Sequence, residues 1–142
     1  MKKRNKVRCI FKKKDRFLFS LHTYDDKEGY YLIPVGGEIE DNENPLDAVI
    51  REAKEEVGLY ITDPLYLGVL SDKYISDTKE EVIINTYCFM VKVSDNITLP
   101  QKMRETTGKI FTLEYFNIED LIKTQVPVLP KGIINMLKQN LS

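Results

Sequence analysis

Residues 37–59 read GEIEDNENPLDAVIREAKEEVGL, eight acidic side chains in 23 positions of a chain whose formal net charge is only −1. Asn44-Pro45 predicts a helix start: Asn caps, and Pro at the first helical position loses no hydrogen bond. The helix is expected to run to about Val57, with Gly58 as its C-terminal stop. On a helical wheel Leu46, Val49, Ile50, Ala53 and Val57 form one apolar stripe, and Glu52, Glu55 and Glu56 stand at i, i+3 and i+4 on the opposite flank. Like charges at that spacing repel by a few tenths of a kcal/mol per pair. Such a cluster needs a physical reason.

A solvated helix face usually alternates signs to gain ion pairs. This one stacks three carboxylates, with Arg51 four residues before Glu55 as a pairing partner and Lys54 to one side. Carboxylates converging from adjacent turns make a site for a hard divalent cation, magnesium or manganese, whose binding relieves the repulsion. The rest of the chain narrows the alternatives. It contains one histidine, His22, and two cysteines, Cys9 and Cys88, without C-x-x-C spacing. That set argues against a structural zinc site, a c-type haem and a Ser-His-Asp or Cys-His triad. Both cysteines sit among apolar residues and read as buried free thiols, for which a reducing cytoplasm suffices.

With 142 residues, 42% hydrophobic and 30% charged, the chain suits one globular domain spanning 1–142. No stretch has the length of a transmembrane helix, and the start lacks the apolar run of a signal peptide. Nine of the 21 lysines and arginines fall in the first 16 residues, against one acid, Asp15. We read this as a solvated hairpin whose lysines keep an edge strand soluble; the alternative is a patch that contacts phosphate or RNA.

Working outward from the helix, residues 7–11 and 16–22 predict two strands joined by a KKKD turn. The YYLIPV run predicts a third strand ending at Pro34, after which Gly36 and Gly37 allow a tight or unusual backbone path. Further strands are expected near 65–70, 81–93 and 109–113, a short helical turn over 117–122, and a last helix within 130–141. Strands and helices in this mixed order suit an α/β or α+β sandwich.

The quoted stretch also resembles a known family. Gly37, five residues, Glu43, seven residues and then REAKEEVGL match every specified position of the Nudix box, G-x5-E-x7-R-E-U-x-E-E-x-G-U with U apolar. Chance would produce this on the order of once per billion starting positions. The resemblance implies an α/β/α sandwich with a mixed β-sheet, and hydrolysis of a nucleoside diphosphate linked to another moiety, with Mg2+ or Mn2+ as cofactor. It implies metal-ligand roles for Glu52, Glu55 and Glu56, a supporting role for Glu43, and a metal-facing carbonyl at Gly37. Arg51 matches the arginine that orients a catalytic glutamate.

The expected chemistry is water attack at a phosphorus atom, since metal ions polarise phosphoryl oxygens and acidify bound water. Which carboxylate acts as base varies across the family: Glu52 and Glu55, with Arg51, are the catalytic candidates within the box, and Glu105, in the polar run QKMRETTGK, is the candidate base from a late loop. Glu80 and Glu81 rank below it. Tyr30, Tyr31 and Phe19 could stack on a base, although strand aromatics are more often core. Tyr74 sits roughly where some dinucleoside-polyphosphate hydrolases carry a tyrosine, and His22 reads as a strand-end residue. The expected partner is a small nucleotide-type molecule, with no membrane. An RNA 5′ end is the one nucleic-acid substrate left open by the basic N-terminus, and a homodimer is left open too. A non-catalytic nucleotide-sensing module is the rival class, but such modules typically lose box glutamates. An isoprenoid-diphosphate isomerase would want a cysteine near the metal site.

Overall fold

The computed structural model describes residues 1–24, 27–104 and 108–141. The elements are β1 (Lys2–Lys13), β2 (Arg16–Thr23), β3 (Tyr30–Ile33), β4 (Val35–Glu38), α1 (Pro45–Val57), β5 (Leu65–Ile75), β6 (Glu81–Lys92), β7 (Lys102–Arg104), β8 (Ile110–Phe116), α2 (Ile118–Lys123) and α3 (Ile133–Lys138). The strands form one mixed sheet in the order β5-β6-β1-β2-β8-β7, with β1 and β6 parallel. β1 and β2 leave their turn paired only at Lys12–Phe17 and Lys13–Arg16. Beyond that the two strands part company. β4 pairs with β1 over residues 6–9, and β3 pairs with β2 over residues 20–23.

Side-chain alternation along β1 divides the core in two. Val7, Cys9 and Phe11 face α1 and pack with Val49, Ala53 and Phe89. Ile10 faces the other way, joining Phe17, Phe19 and Cys88 beneath α2 and α3, which bury Leu121, Ile133 and Leu137. The result is the expected α/β/α sandwich. Both cysteines are free and buried.

Several expectations need correction. The basic N-terminus is not an edge hairpin: β1 is a central strand, hydrogen-bonded to β6 along its length and to β4 and β2 on its other side. Its lysines are spread along that central strand, exposed at Lys2 and Lys3, half-buried at Lys6 and buried at Lys12. The third strand ends at Ile33, beside the expected stop at Pro34, which has no N–H to donate; what the sequence did not announce is β4, which opens at Val35 as the chain changes partner from β2 to β1. β7, three residues long, was absent from the sequence reading. The last helix is shorter than expected, and Leu141 lies beyond it, 44% exposed.

His22 is one residue from the end of β2 and is buried, its ring stacked on Phe111 at 3.7 Å and on Tyr31 at 5.2 Å between centroids. Nε2 has no hydrogen-bond partner among the described residues. Burial, with Arg8 and Lys109 adding repulsion, pushes its pKa down to about 4. The unfolded chain therefore binds this proton at higher pH than the fold does, so stability falls as pH drops from about 6.5 towards 4. His22→Phe keeps a ring in the stack and removes the titration. We expect the variant's urea midpoint to fall less than the parent's between pH 7 and pH 4.5; parallel curves would show that His22 does not contribute.

Candidate active site

α1 has the predicted ends. The Asn44 side chain accepts from Asp47 N at 2.8 Å, Pro45 opens the helix, and Gly58 closes it at φ 71°, donating to Lys54 O. The buried face is rotated from the one expected. It comprises Ala48, Val49, Glu52, Ala53 and Val57, while Leu46 is 45% exposed. Glu52 is thus not on the solvated flank with Glu55; it turns inward, only 8% exposed, against β4.

Gly37 makes room for this, while its neighbour Gly36 makes room for β1. A Cβ on Gly37 would stand 2.5 Å from Glu52 Oε1. One on Gly36 would stand 2.0 Å from the Val7 carbonyl oxygen and 2.9 Å from Arg8 Cδ. Neither glycine has positive φ. Both lie in extended backbone, so the sequence reading of an unusual path gives way to a different cause: the space that a side chain would take.

Arg51 organises the carboxylates. Its Nε and Nη2 donate to Glu43 Oε2 and Oε1 at 2.8 and 2.9 Å, a bidentate pair. Its Nη1 donates to Glu52 Oε1 at 3.0 Å and to Glu55 Oε2 at 3.3 Å, and Nη2 also reaches the Glu38 carbonyl at 3.0 Å. The guanidinium holds the Glu43 carboxyl below its usual range, and Glu43 in turn raises Arg51 above its own. One arginine therefore ties the loop after β4 to two glutamates of the helix.

A second cation feels the charge of the same helix, although its place on β1 alternates with the residues that face α1. Arg8, on β1, donates from Nη1 to the Pro34 carbonyl at 3.0 Å. Burial lowers its pKa, opposed by the charges of Glu56 and then Glu52. Sequence reading missed Arg8, because it lay in a lysine-rich stretch taken as solvated. Its alternation with Arg4 and Lys6 at every second position was the available signal.

The cysteines have no role as nucleophiles here. Burial, then the charge of Glu56, raises the Cys9 thiol far above neutrality, and burial pushes Cys88 up to about 12. Of the sequence candidates, Gly37, Glu43, Arg51, Glu52 and Glu55 come together directly, and Glu56 joins them through its charge on Arg8 and Cys9. Among the described residues, no three His, Cys, Asp or Glu side chains stand around one point ready to hold a metal ion. Glu105 lies outside the described residues. Glu81 pairs with Lys73 at 2.8 Å, across β5 and β6. Phe19 cannot stack on a ligand, being fully buried edge-on to Phe116. Tyr31 is stacked on His22, Tyr30 is exposed, and Tyr74 OH accepts from Arg4 at 3.5 Å.

A family model described as the NUDIX domain matches residues 2–136. The chain belongs to the Nudix family and is a hydrolase of that family. It is similar to the Nudix hydrolase YvcI of Bacillus subtilis (strain 168), at 27% identity over 122 residues, 86% of this chain and 70% of that one. The fold matches a NUDIX hydrolase from Nitrosomonas europaea with a TM-score of 0.70 at 16% identity, covering 98% of this chain and 88% of that one. It also matches the E. coli ORF135 protein, with a TM-score of 0.66 at 21% identity, covering 97% and 88%. No described helix is long and apolar enough to cross a membrane.

Proposed function

We propose that this chain is a divalent-metal-dependent pyrophosphohydrolase, cleaving a nucleoside diphosphate linked to another moiety by attack of water at phosphorus. The observation that carries the reading is Glu52, a carboxylate turned inward against a glycine that leaves no room for a Cβ. A buried carboxylate is costly unless a cation or hydrogen bonds compensate it, and here Arg51 supplies only part of the balance for Glu43, Glu52 and Glu55 together.

The donor set fits a hard cation, since it offers carboxylates and a backbone carbonyl but no imidazole or thiolate. Glu52, Glu55, Glu56 and the Gly37 carbonyl would hold Mg2+ or Mn2+. When bound, such an ion would neutralise the diphosphate and acidify the attacking water. The chain's own residues do the rest. Arg51 keeps Glu52 and Glu55 in place through two hydrogen bonds from one nitrogen. Glu55, with half of its side chain exposed, is free to take the proton from water as it attacks. Arg8 presents a positive charge on the sheet side of the same carboxylates. Glu105 is a further candidate for the base. The buried free thiols support a reducing, cytoplasmic setting.

The test is a panel of nucleoside triphosphates, nucleotide sugars and dinucleoside polyphosphates, each with magnesium, with manganese and with excess chelator. We expect anhydride cleavage with either metal and loss of at least about a hundredfold on chelation. Full activity in chelator would overturn the metal reading, and inertness on the whole panel would favour the nucleotide-sensing alternative.

A further inference from the structure

β1 alternates Arg4, Lys6 and Arg8 on one face, and the three are not equally compensated. Arg4 is paired with Glu38. Arg8 hydrogen-bonds Pro34 and feels Glu56 and Glu52. The side chain of Lys6, half-buried between them, has no ion pair or hydrogen bond among the described residues; burial, then the charges of Arg8 and Arg4, pushes its pKa down to about 8. Keeping a cation half-buried beside two others is unfavourable unless an anion joins them.

The space in front of Lys6 is a cavity of about 140 Å3. Lys6 and Arg8, from β1, and Lys131, from the loop before α3, line it together. Lys131 is exposed and has no side-chain partner among the described residues. Thr86 adds a hydroxyl group, while that of Ser71 already donates to Asn85 Oδ1 at 2.7 Å. The acid on the lining, Asp72, accepts from Lys73 N at 2.8 Å without pairing with Lys6 or Lys131. The remaining lining is apolar, from Ile33, Leu70, Ile84, Leu129 and Pro130. Among the described residues no aromatic ring lines the cavity, so a base has nothing there to stack on. The volume is also well below the roughly 300–1,000 Å3 of a pocket for a whole small ligand. A tetrahedral, multiply charged group fits both the chemistry and the size.

We propose that Lys6, Arg8 and Lys131 form a second anion subsite, which takes a phosphate group of the substrate lying outside the anhydride that is cut. The proposal rests on the pyrophosphohydrolase reading: Arg8 lines the cavity and also feels the charges of Glu56 and Glu52, so a diphosphate held at those carboxylates would extend past Arg8 toward the lysines. The class favoured is therefore a nucleotide derivative with additional phosphate, whether as a longer phosphate chain or as a separate phosphate ester. Substrates with a neutral sugar or alcohol in that position would leave both lysines uncompensated.

Inorganic pyrophosphate, titrated into the protein in excess chelator, tests the subsite apart from catalysis, with thermal midpoint and calorimetry as readouts. We expect binding by the parent protein, and affinity weakened about tenfold or more in Lys6→Met and in Lys131→Met, since each removes a charge-assisted contact. Lys14→Met, on the exposed β1–β2 turn, should bind like the parent. Equal affinity in all four proteins, or equal weakening by Lys14→Met, would overturn the subsite. Within the panel of Proposed function, a triphosphate should exceed the matching nucleotide sugar in kcat/KM, and a dinucleoside with the longer phosphate chain should exceed the shorter. Preference for the neutral-ended substrates would overturn the class. Failure of hydrolysis on every substrate, with pyrophosphate binding retained as described, would overturn the reaction while supporting the subsite.

Discussion

Glu56→Gln is expected to lower turnover at least about a hundredfold while leaving the metal-free fold almost as stable as before. The substitution preserves length and shape and removes one charge. That charge repels Glu52 across a helical turn, by a few tenths of a kcal/mol, and acts favourably on Arg8. The two effects oppose each other, so the thermal midpoint in chelator should barely move. The buried residues Ala48, Val49, Ala53 and Val57 are untouched. The reaction, in contrast, needs the full negative charge of the shell to place a divalent ion against the diphosphate. Thermal unfolding without metal and steady-state hydrolysis with it separate the alternatives. Ready unfolding would make Glu56 a structural residue, and an unchanged rate on the preferred substrate would remove it from the site.

The neighbouring glycines should give opposite results under the same one-carbon change. Gly36→Ala drives a methyl group into the Val7 carbonyl, 2.0 Å away in the backbone of β1. Backbone cannot rotate aside, so β4 must separate from β1. The expected cost is about 3 kcal/mol, or a drop of roughly 10 °C in the thermal midpoint. Gly37→Ala meets the end of the Glu52 side chain instead, at 2.5 Å, and a carboxylate can swing. Most of the stability should survive, but Glu52 moves from its place beside Arg51 and turnover should fall about a hundredfold. A Gly36→Ala protein as stable as the parent would refute the packing of β4 on β1. A fully active Gly37→Ala protein would show that the position of Glu52 is not critical.

Chemistry written in short range was legible from the chain alone. Asn44, Pro45 and Gly58 act within one helical turn of themselves, so the bounds of α1 followed from local hydrogen bonding and backbone preference. The spacing of Gly37, Glu43, Arg51, Glu52, Glu55 and Glu56 lies within one strand–loop–helix unit, and it carried the family. The reading failed where two elements far apart in the chain had to meet. The wheel set the apolar stripe by composition and left Glu52 on the wet flank, because a wheel does not see Gly37 of β4, which admits the carboxylate. Leu46 had the right character for the core, yet Ala48 filled the face that packs on the sheet.

What the sequence by itself determined, then, is the carboxylate helix, its ends, its arginine and the hydrolase family. What only the tertiary structure decided is which cations face those carboxylates. The parallel pairing of β1 with β6, about 80 residues apart in register, puts a strand read as an edge at the centre of the sheet. That placement brings Arg8 within the field of Glu52 and Glu56, and gathers Lys6, Arg8 and Lys131 on the lining of one cavity. Strand register is fixed by the sum of many cross-strand contacts over a long loop closure, and no local pattern of lysines and arginines encodes it.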